Sequence, residues 1–246
     1  MGRKKHSIQK EIFSFLILFA FSSNLSSDIE DKIALHKEQF SEVALKIWEY
    51  AELGYQETKS SNLLASELKK EGFKITKGVA GIPTAFVAEF GSSGPVIGIL
   101  GEFDALPGLA QTNSPFKEVA VNDSGGGHAC GHHLFGAASA WAAVSIKEWL
   151  DENDVEGTVR FYGTPAEEGG SGKVYMVREG LFDDVDVVLH WHPDDVNSAN
   201  PKTSNSNKSA KFTFKGISAH AAGSPELGRS ALDGVEAMNM MVNMMR

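Results

Sequence analysis

Cysteine is nearly absent from this sequence, because Cys130 is the single one among 246 residues. An intrachain disulfide is therefore excluded. Basic residues are also scarce: 23 lysines and arginines stand against 32 acidic residues, for a formal net charge of −9. Since nucleic-acid binding needs clustered positive charge, we expect no nucleic-acid partner. Apolar residues make up 42% of the chain, which is enough for a sizeable core.

A long hydrophobic run is missing from the N-terminal region, where a transmembrane helix would need about 20 apolar residues. The apolar stretch from Ile12 to Phe21 is shorter, follows the basic residues 3–5 and precedes two serines. This layout is typical of a secretory signal peptide. We predict a signal peptide over residues 1–27, a secreted or periplasmic protein and no stable membrane span after cleavage. A cytoplasmic protein is the alternative.

Segments with strand character alternate with segments of helical character, which predicts an α/β fold with a mainly parallel sheet. The predicted helices are 30–52, 58–71, 132–153 and 172–179, and the predicted strands are 84–90, 95–101, 158–165 and 185–193. The strand at 95–101 is a nearly continuous apolar run, typical of a strand buried on both faces of a parallel sheet, and we expect the strand at 185–193 to be buried as well.

The composition changes near residue 200, where a polar, turn-rich stretch begins. The alternating segment KFTFKG (211–216) then predicts a strand, and the Met-rich segment after it predicts a helix that reaches the last residue. We therefore expect a larger domain over 28–205 and part of a smaller α+β unit over 206–246.

Three histidines and the cysteine fall within six positions of the segment GGGHACGHHLFGA (125–137). Burying so many imidazoles without partners would be costly, which leaves metal ligation, redox chemistry or nucleophilic catalysis. A redox thiol would call for a C-x-x-C pair, which is missing. A Cys–His protease would not need the adjacent carboxylates Glu167 and Glu168.

Polar residues follow three of the predicted strands: Glu102 and Asp104 the first, Glu167 and Glu168 the second, and His192 the third. Ligands of open α/β sheets bind at the carboxyl ends of strands, so we expect these side chains to converge. We favour His192 as a ligand over His190, which we expect to be buried and hydrogen-bonded. A mixed Cys, His and Glu set suits divalent zinc or manganese. With one glutamate as base and its neighbour as ligand, this set predicts a hydrolase.

Five ordered motifs, spread over residues 30–246, carry a family resemblance: GEFDALPGL, GGGHACGHH, VRFYGTPAEEGGSGK, WHP and FKGISAHAAGSPELGRSALDGVEAMN. Together they resemble the dinuclear metallo-amidohydrolases related to carboxypeptidase G and the plant auxin-conjugate hydrolases, in particular their aminobenzoyl-glutamate utilisation group. The resemblance implies a metallopeptidase catalytic domain with an inserted lid that forms homodimers. It also implies two divalent metal ions and hydrolysis of an amide bond in a small N-acyl amino acid or aminobenzoyl-glutamate-like conjugate.

The resemblance also implies roles for individual positions. The implied metal ligands are Cys130, His132, Glu168 and His192. The implied general base is Glu167, and Asp104 is the implied carboxylate that supports the ligands from behind. His220 is the implied lid histidine that contacts substrate in the partner's active site. It leaves His128 and His133 without a role. Members of the family supply a final histidine ligand after the lid, so we expect that ligand beyond residue 246. A non-catalytic metal-binding relative, or an inactive fragment of such an enzyme, is the alternative.

Overall fold

The computed structural model describes residues 30–121, 124–199, 203 and 205–246. The predicted signal peptide over residues 1–27 lies outside the described residues. The described residues fall into two compact units, a first unit ending at Val196 and a second unit beginning at Asn197. Within the described part of the chain, no helix combines the length and the apolar character needed to cross a bilayer.

The first unit alternates helices and strands along the chain. Its helices are α1 (Lys37–Tyr50), α2 (Thr58–Lys70), α3 (His132–Glu152) and α4 (Gly172–Arg178), with single turns at Val79–Gly81 and Glu167–Gly170. Its strands are β1 (Lys74–Lys77), β2 (Phe86–Phe90), β3 (Val96–Gly101), β4 (Leu106–Pro107), β5 (Gly126–Gly127), β6 (Thr158–Gly163) and β7 (Val187–Leu189). Most of these bounds lie close to the predicted elements, although β7 is three residues long where nine were predicted and β1 was not predicted. The α/β class is confirmed.

Five of the strands form one sheet in the order β1-β2-β6-β3-β7. The strands β6, β3 and β7 run parallel, whereas β1 and β2 join antiparallel, so the described sheet is mixed rather than mainly parallel. Gly101 at the end of β3 pairs with Gly163 at the end of β6. The residues after both strands therefore leave the sheet side by side at one edge.

The hydrophobic core lies between this sheet and helices α1, α2 and α3. Small residues on α3, including Ala140 and Ala143, are fully buried and let the helix approach the sheet closely. At Gly136 this approach is so close that an added Cβ would lie 2.6 Å from the backbone oxygen of Glu102. The N-terminal part of α3 is thereby held against the end of β3, where the polar residues cluster.

The prediction that the 185–193 strand is buried is wrong for the described chain. The side chains of β7 are 43–50% exposed, and the strand is the last one in the order of the described sheet. The apolar residues therefore predict the strand correctly. Their burial, however, requires further elements to pack against the strand.

The second unit contains a single turn at Pro225–Leu227 and helix α5 (Ala231–Asn243). Ser230 caps the start of the helix, because its hydroxyl accepts a hydrogen bond from the backbone N–H of Asp233 at 3.2 Å. The helix ends at Asn243, three residues before the predicted end. The strand predicted at 211–216 is wrong: those residues make no ladder with any described residue, and Ile217 alone bridges to Arg229. Alternation favours a strand only where a partner edge is available.

Candidate metal centre

Four strand or helix ends meet at one edge of the sheet and bring the predicted site residues of the first unit together. Cys130, His132 and His192 form one group of possible ligands, and Glu102, His132 and Glu167 form a second. Within each group the ligand atoms lie within 4.8 Å of one another. Because His132 belongs to both groups, the two positions adjoin, as a site for two ions requires.

His132 is the fully buried centre of this arrangement. Its Nδ1 lies 2.9 Å from the Oδ1 atom of Asp104 and 3.1 Å from the Asp104 backbone oxygen. The backbone oxygen can only accept a hydrogen bond, so Nδ1 carries a proton and donates it. The other ring nitrogen, Nε2, faces the cluster. A carboxylate behind a histidine is a common way to orient a metal ligand.

Three carboxylates surround Nε2 of His132. The Oε2 atom of Glu102 is 2.9 Å away, and the nearest oxygens of Glu167 and Glu168 are each 3.9 Å away. Burial alone would lower the pKa of His132, but Asp104 and Glu102 outweigh it and raise this pKa to about 10. The ring is thus surrounded by negative charge that attracts a cation, either a proton or a metal ion.

Cys130 and His192 face each other, with the Sγ atom 3.3 Å from Nε2 of the ring. The Nδ1 atom of His192 donates to the backbone oxygen of Pro193 at 2.8 Å, which leaves the lone pair on Nε2. Burial, reinforced by Glu168, raises the pKa of the Cys130 thiol to about 12. A thiolate here therefore needs a cation beside it, and a bound metal ion would supply one.

The donor atoms fit divalent metal ions. Three buried atoms at the centre, Glu102 Oε2, His132 Nε2 and Glu168 Oε1, make no hydrogen bond of good geometry with any described residue, although the first two lie 2.9 Å apart. Buried polar atoms are normally paired, so unpaired ones that face the same space indicate a missing partner. Sulfur, imidazole and carboxylate donors together suit zinc or manganese.

The two adjacent glutamates differ in their surroundings. The Glu167 side chain is 44% exposed, while that of Glu168 is 20% exposed and its backbone N–H donates to Oδ2 of Asp104 at 2.8 Å. Burial, together with the nearby Glu102 carboxylate, raises the pKa of Glu167 above its ordinary value. An accessible carboxylate with a raised pKa suits proton transfer.

Glu102 and Lys173 belong to the cluster although sequence reasoning assigned them no role. Glu102 is buried and forms an ion pair with the Lys173 ammonium group. Burial alone would raise the pKa of Glu102, but His132, His190 and Lys173 lower it well below its usual range. Its position after β3 was a signal for Glu102. Lys173 closes the motif VRFYGTPAEEGGSGK, which gave it no role, and its place in the first turn of α4 becomes significant once the fold is known.

Three further histidines, His128, His133 and His190, lie near the cluster. The prediction that His190 is buried is wrong: its side chain is 45% exposed, and Nε2 lies 3.6 Å from Oε1 of Glu102. His128 is buried, with its Nε2 3.0 Å from the backbone oxygen of Ile47, and its ring lies 5.1 Å from that of His133. Burial lowers the pKa of both His128 and His133 to about 4, so both are neutral at pH 7.

His220 lies in the second unit and is exposed. Its Nδ1 accepts hydrogen bonds from the backbone N–H groups of Ala222 at 3.2 Å and Gly223 at 2.9 Å. The ring proton of neutral His220 therefore sits on Nε2. That nitrogen is a hydrogen-bond donor.

Several known proteins are similar to this chain in sequence and in fold. The chain is 47% identical to one of the subunits of p-aminobenzoyl-glutamate hydrolase from Escherichia coli over 215 residues, which cover 87% of this chain and 45% of that protein. It is 33% identical to hippurate hydrolase of Campylobacter jejuni over 156 residues, which cover 63% of this chain and 39% of that protein. Among solved structures, it matches the YXEP protein of Bacillus subtilis, described as a dinuclear metal binding peptidase. That match has a TM-score of 0.54 and 31% identity and covers 65% of this chain and 44% of that one.

These relatives are longer, so that this chain spans less than half of the length of each. The sequence pattern of peptidase family M20/M25/M40 matches residues 98–230, more than half of this chain. The matched range includes Glu102, Cys130, His132, the glutamate pair and His192. The chain therefore belongs to peptidase family M20/M25/M40.

Proposed function

We propose that this protein hydrolyses the amide bond of small N-acyl amino acids or aminobenzoyl-glutamate-like conjugates, with two divalent metal ions, zinc or manganese, as cofactors. One observation carries the proposal. Asp104 accepts a hydrogen bond from Nδ1 of His132, so that Nε2 faces a group of carboxylates, and one of them, Glu167, is exposed to solvent. This places a possible proton acceptor beside the possible ligands, a combination that metal storage or a structural metal site would not need.

Cys130, His132, Glu168 and His192 would hold the ions. When bound, such ions supply Lewis acidity toward a carbonyl oxygen and toward water. Asp104 supports two of these ligands, because it accepts from the His132 ring through Oδ1 and from the Glu168 backbone N–H through Oδ2. Glu102 adds a buried carboxylate that Lys173 partly neutralises.

Glu167 would move the proton. As the oxygen of a water molecule attacks the amide carbon, the Glu167 carboxylate accepts a proton from that water. It then delivers this proton to the amide nitrogen as the carbon–nitrogen bond breaks. The products are a carboxylic acid and an amine, and Glu167 returns to its ionised form. Its raised pKa brings it closer to the value at which a group both accepts and donates a proton readily.

His220 would stabilise the negative oxygen that develops on the carbonyl. Since its Nδ1 already accepts two backbone hydrogen bonds, Nε2–H is the donor that remains for a substrate. We propose that it acts across a homodimer formed by the lid region, 206–246. The exposed apolar side chains of α5, such as Met240 and Met241, supply surface for this contact. Analytical ultracentrifugation of the purified protein tests this, and a monomer at all concentrations would contradict it.

The substrate class rests on the relatives' names. Both p-aminobenzoyl-glutamate hydrolase and hippurate hydrolase are named for substrates in which an aromatic acyl group is joined to an amino acid through an amide. We also propose export to a secreted or periplasmic location after cleavage of residues 1–27. N-terminal sequencing of the mature protein tests the export, and an intact N-terminus on a cytoplasmic product would favour the alternative.

The activity is tested with protein loaded with Zn²⁺ or with Mn²⁺. Each form is incubated with p-aminobenzoyl-glutamate, hippurate and an N-acetyl amino acid, and the released amine is quantified. We expect hydrolysis of at least one substrate, its loss after chelation and its retention in E179Q, which changes an exposed glutamate at the end of α4. Tight metal binding with no hydrolysis would contradict the proposal and favour a non-catalytic metal-binding relative.

A further inference from the structure

The connection between α1 and α2 contacts the turn that carries the glutamate pair. Within this connection, Glu57 is fully buried. Its carboxylate accepts a hydrogen bond from the backbone N–H of Ala166 at 2.8 Å and one from the hydroxyl of Thr84 at 3.0 Å. Ala166 immediately precedes Glu167. A side chain 109 positions away in sequence is thus bonded to the backbone next to the proposed base.

The backbone at Ala166 has an unusual conformation. Its φ of 55° lies in the left-handed region, which a residue with a Cβ rarely adopts. Such a conformation persists only where its surroundings enforce it. The hydrogen bond to Glu57 fixes the N–H of this residue, and its conformation sets the direction in which Glu167 and Glu168 leave β6.

Tyr55 holds the other end of the same turn. Its hydroxyl donates to the backbone oxygen of Gly170 at 2.6 Å, and its own φ of 65° is also left-handed. The neighbouring Gly54 packs so closely that an added Cβ would lie 3.1 Å from the Cα of Ala166. Two side chains and one close backbone contact from a single connection therefore define the turn over 166–170.

A contribution to stability alone does not explain why a glutamate is buried at position 57. Its two carboxylate hydrogen bonds go to neutral donors, and burial raises its pKa, so its negative charge is disfavoured there. An ionised carboxylate is, however, the strongest acceptor that a side chain can offer to a backbone N–H. That property matters where one peptide must be held in place, as at Ala166.

We propose that Glu57 and Tyr55 are positioning residues, which fix the turn at 166–170 so that Glu167 and Glu168 meet the ligands around His132. This inference rests on the proposed hydrolytic function. It extends the site to the segment 53–57, which contributes no residue to the two groups of possible ligands around His132. Supporting residues around a metal site affect metal affinity or activity by about 10- to 100-fold when they are removed.

Four variants test the proposal. E57A removes the acceptor for Ala166, E57Q keeps an acceptor oxygen and Y55F removes the hydroxyl that bonds to Gly170. E67A is the matched control: Glu67 is a buried glutamate of α2 whose carboxylate bonds to Gln39 and Lys70 instead of the turn. For each variant we would measure amide hydrogen exchange at 166–170, zinc affinity, and kcat and KM, with thermal unfolding to monitor the fold.

We expect E57A to speed exchange at Ala166 at least about 10-fold, to weaken zinc binding about 10- to 100-fold and to lower kcat more than KM. Y55F should change the same quantities in the same direction, while E57Q and E67A should stay within about threefold of the wild type. If E57A fails to fold, Y55F still decides between the outcomes, because the hydroxyl of Tyr55 holds the other end of the same turn.

Two kinds of failure can be told apart. A wild-type protein that hydrolyses no amide overturns the proposed function, whereas exchange and zinc affinity still report on the turn. Wild-type values of exchange at 166–170 and of zinc affinity in both E57A and Y55F would overturn the positioning role. Equal changes in E57A and E67A would also overturn it, because they would indicate a general loss of stability.

Discussion

The Oδ1 atom of Asp104 accepts a hydrogen bond from Nδ1 of His132 at 2.9 Å, and both side chains are completely buried. This contact fixes the tautomer and the direction of the ring, so that Nε2 faces the proposed metal ligands. The second oxygen of Asp104 accepts from the backbone N–H of Glu168 at 2.8 Å. One carboxylate therefore aligns a ligand from α3 with a ligand from the turn after β6.

Replacement of Asp104 by alanine should weaken metal binding about 10- to 100-fold, because the His132 ring and the Glu168 backbone lose their common support. Isothermal titration with Zn²⁺ measures the change. D186A is the matched control: the Asp186 carboxylate accepts from the backbone N–H of Val96, at the opposite end of β3. Equal zinc affinities for D104A and D186A would contradict this role of Asp104.

Cys130 should react slowly with iodoacetamide when zinc is bound and faster once zinc has been removed by chelation, with both reactions run at alkaline pH because the raised pKa of Cys130 leaves little reactive thiolate at neutral pH. A thiolate that is bound to a metal ion has its lone pairs engaged, and its partial exposure lets the reagent reach it after chelation. Because Cys130 is the single cysteine of the chain, mass spectrometry reports its labelling without interference. Identical labelling rates with and without zinc would show that the thiol is not a ligand.

Stability should depend on pH through His36, which precedes α1 and contacts Glu148 of α3 at 2.8 Å. Burial would lower the pKa of His36, but Glu148, Gln39 and Glu71 outweigh it and raise this pKa above its ordinary value of 6.5. A raised pKa in the folded state means that the stabilisation is complete below pH 6.5. It is lost as the pH rises through the pKa of the folded state.

The difference in free energy of unfolding between the wild type and H36Q should therefore be largest below pH 6.5 and shrink as the pH rises. Urea unfolding at a series of pH values from 5.5 to 8.5 measures it. E148Q, which removes the main partner, should show the same trend. A difference that is constant across this range would rule out a charged pair between His36 and Glu148.

The sequence predicted the part of the fold that carries the site, because apolar strands that end in polar residues identify one edge of an α/β sheet. Glu102 after β3, Glu167 after β6 and His192 after β7 do converge there. The order of the strands could not be predicted, since it depends on which strands pair. For the same reason the burial expected of β7 and the strand expected at 211–216 were wrong: each depends on partners that a local pattern does not specify.

The contacts that support the site could not be predicted from the sequence either. Glu57 and Tyr55 lie more than 100 positions from the turn they hold, and neither belongs to the motifs that carry the family resemblance. Lys173 becomes part of the site only because α4 begins beside β3. Sequence spacing identifies residues with suitable chemistry, whereas the geometry that orients them comes from contacts across the sheet.

The assignment of the two adjacent glutamates is the central claim, and a comparison of E167Q with E168Q tests it most directly. Turnover of p-aminobenzoyl-glutamate and bound metal per chain would be measured for both variants. E167Q should lose at least about 100-fold in turnover yet keep its metal, because it removes a proton acceptor. E168Q should lose metal, because it removes a ligand. Loss of metal in E167Q together with full metal content in E168Q would contradict the assignment and exchange the two roles.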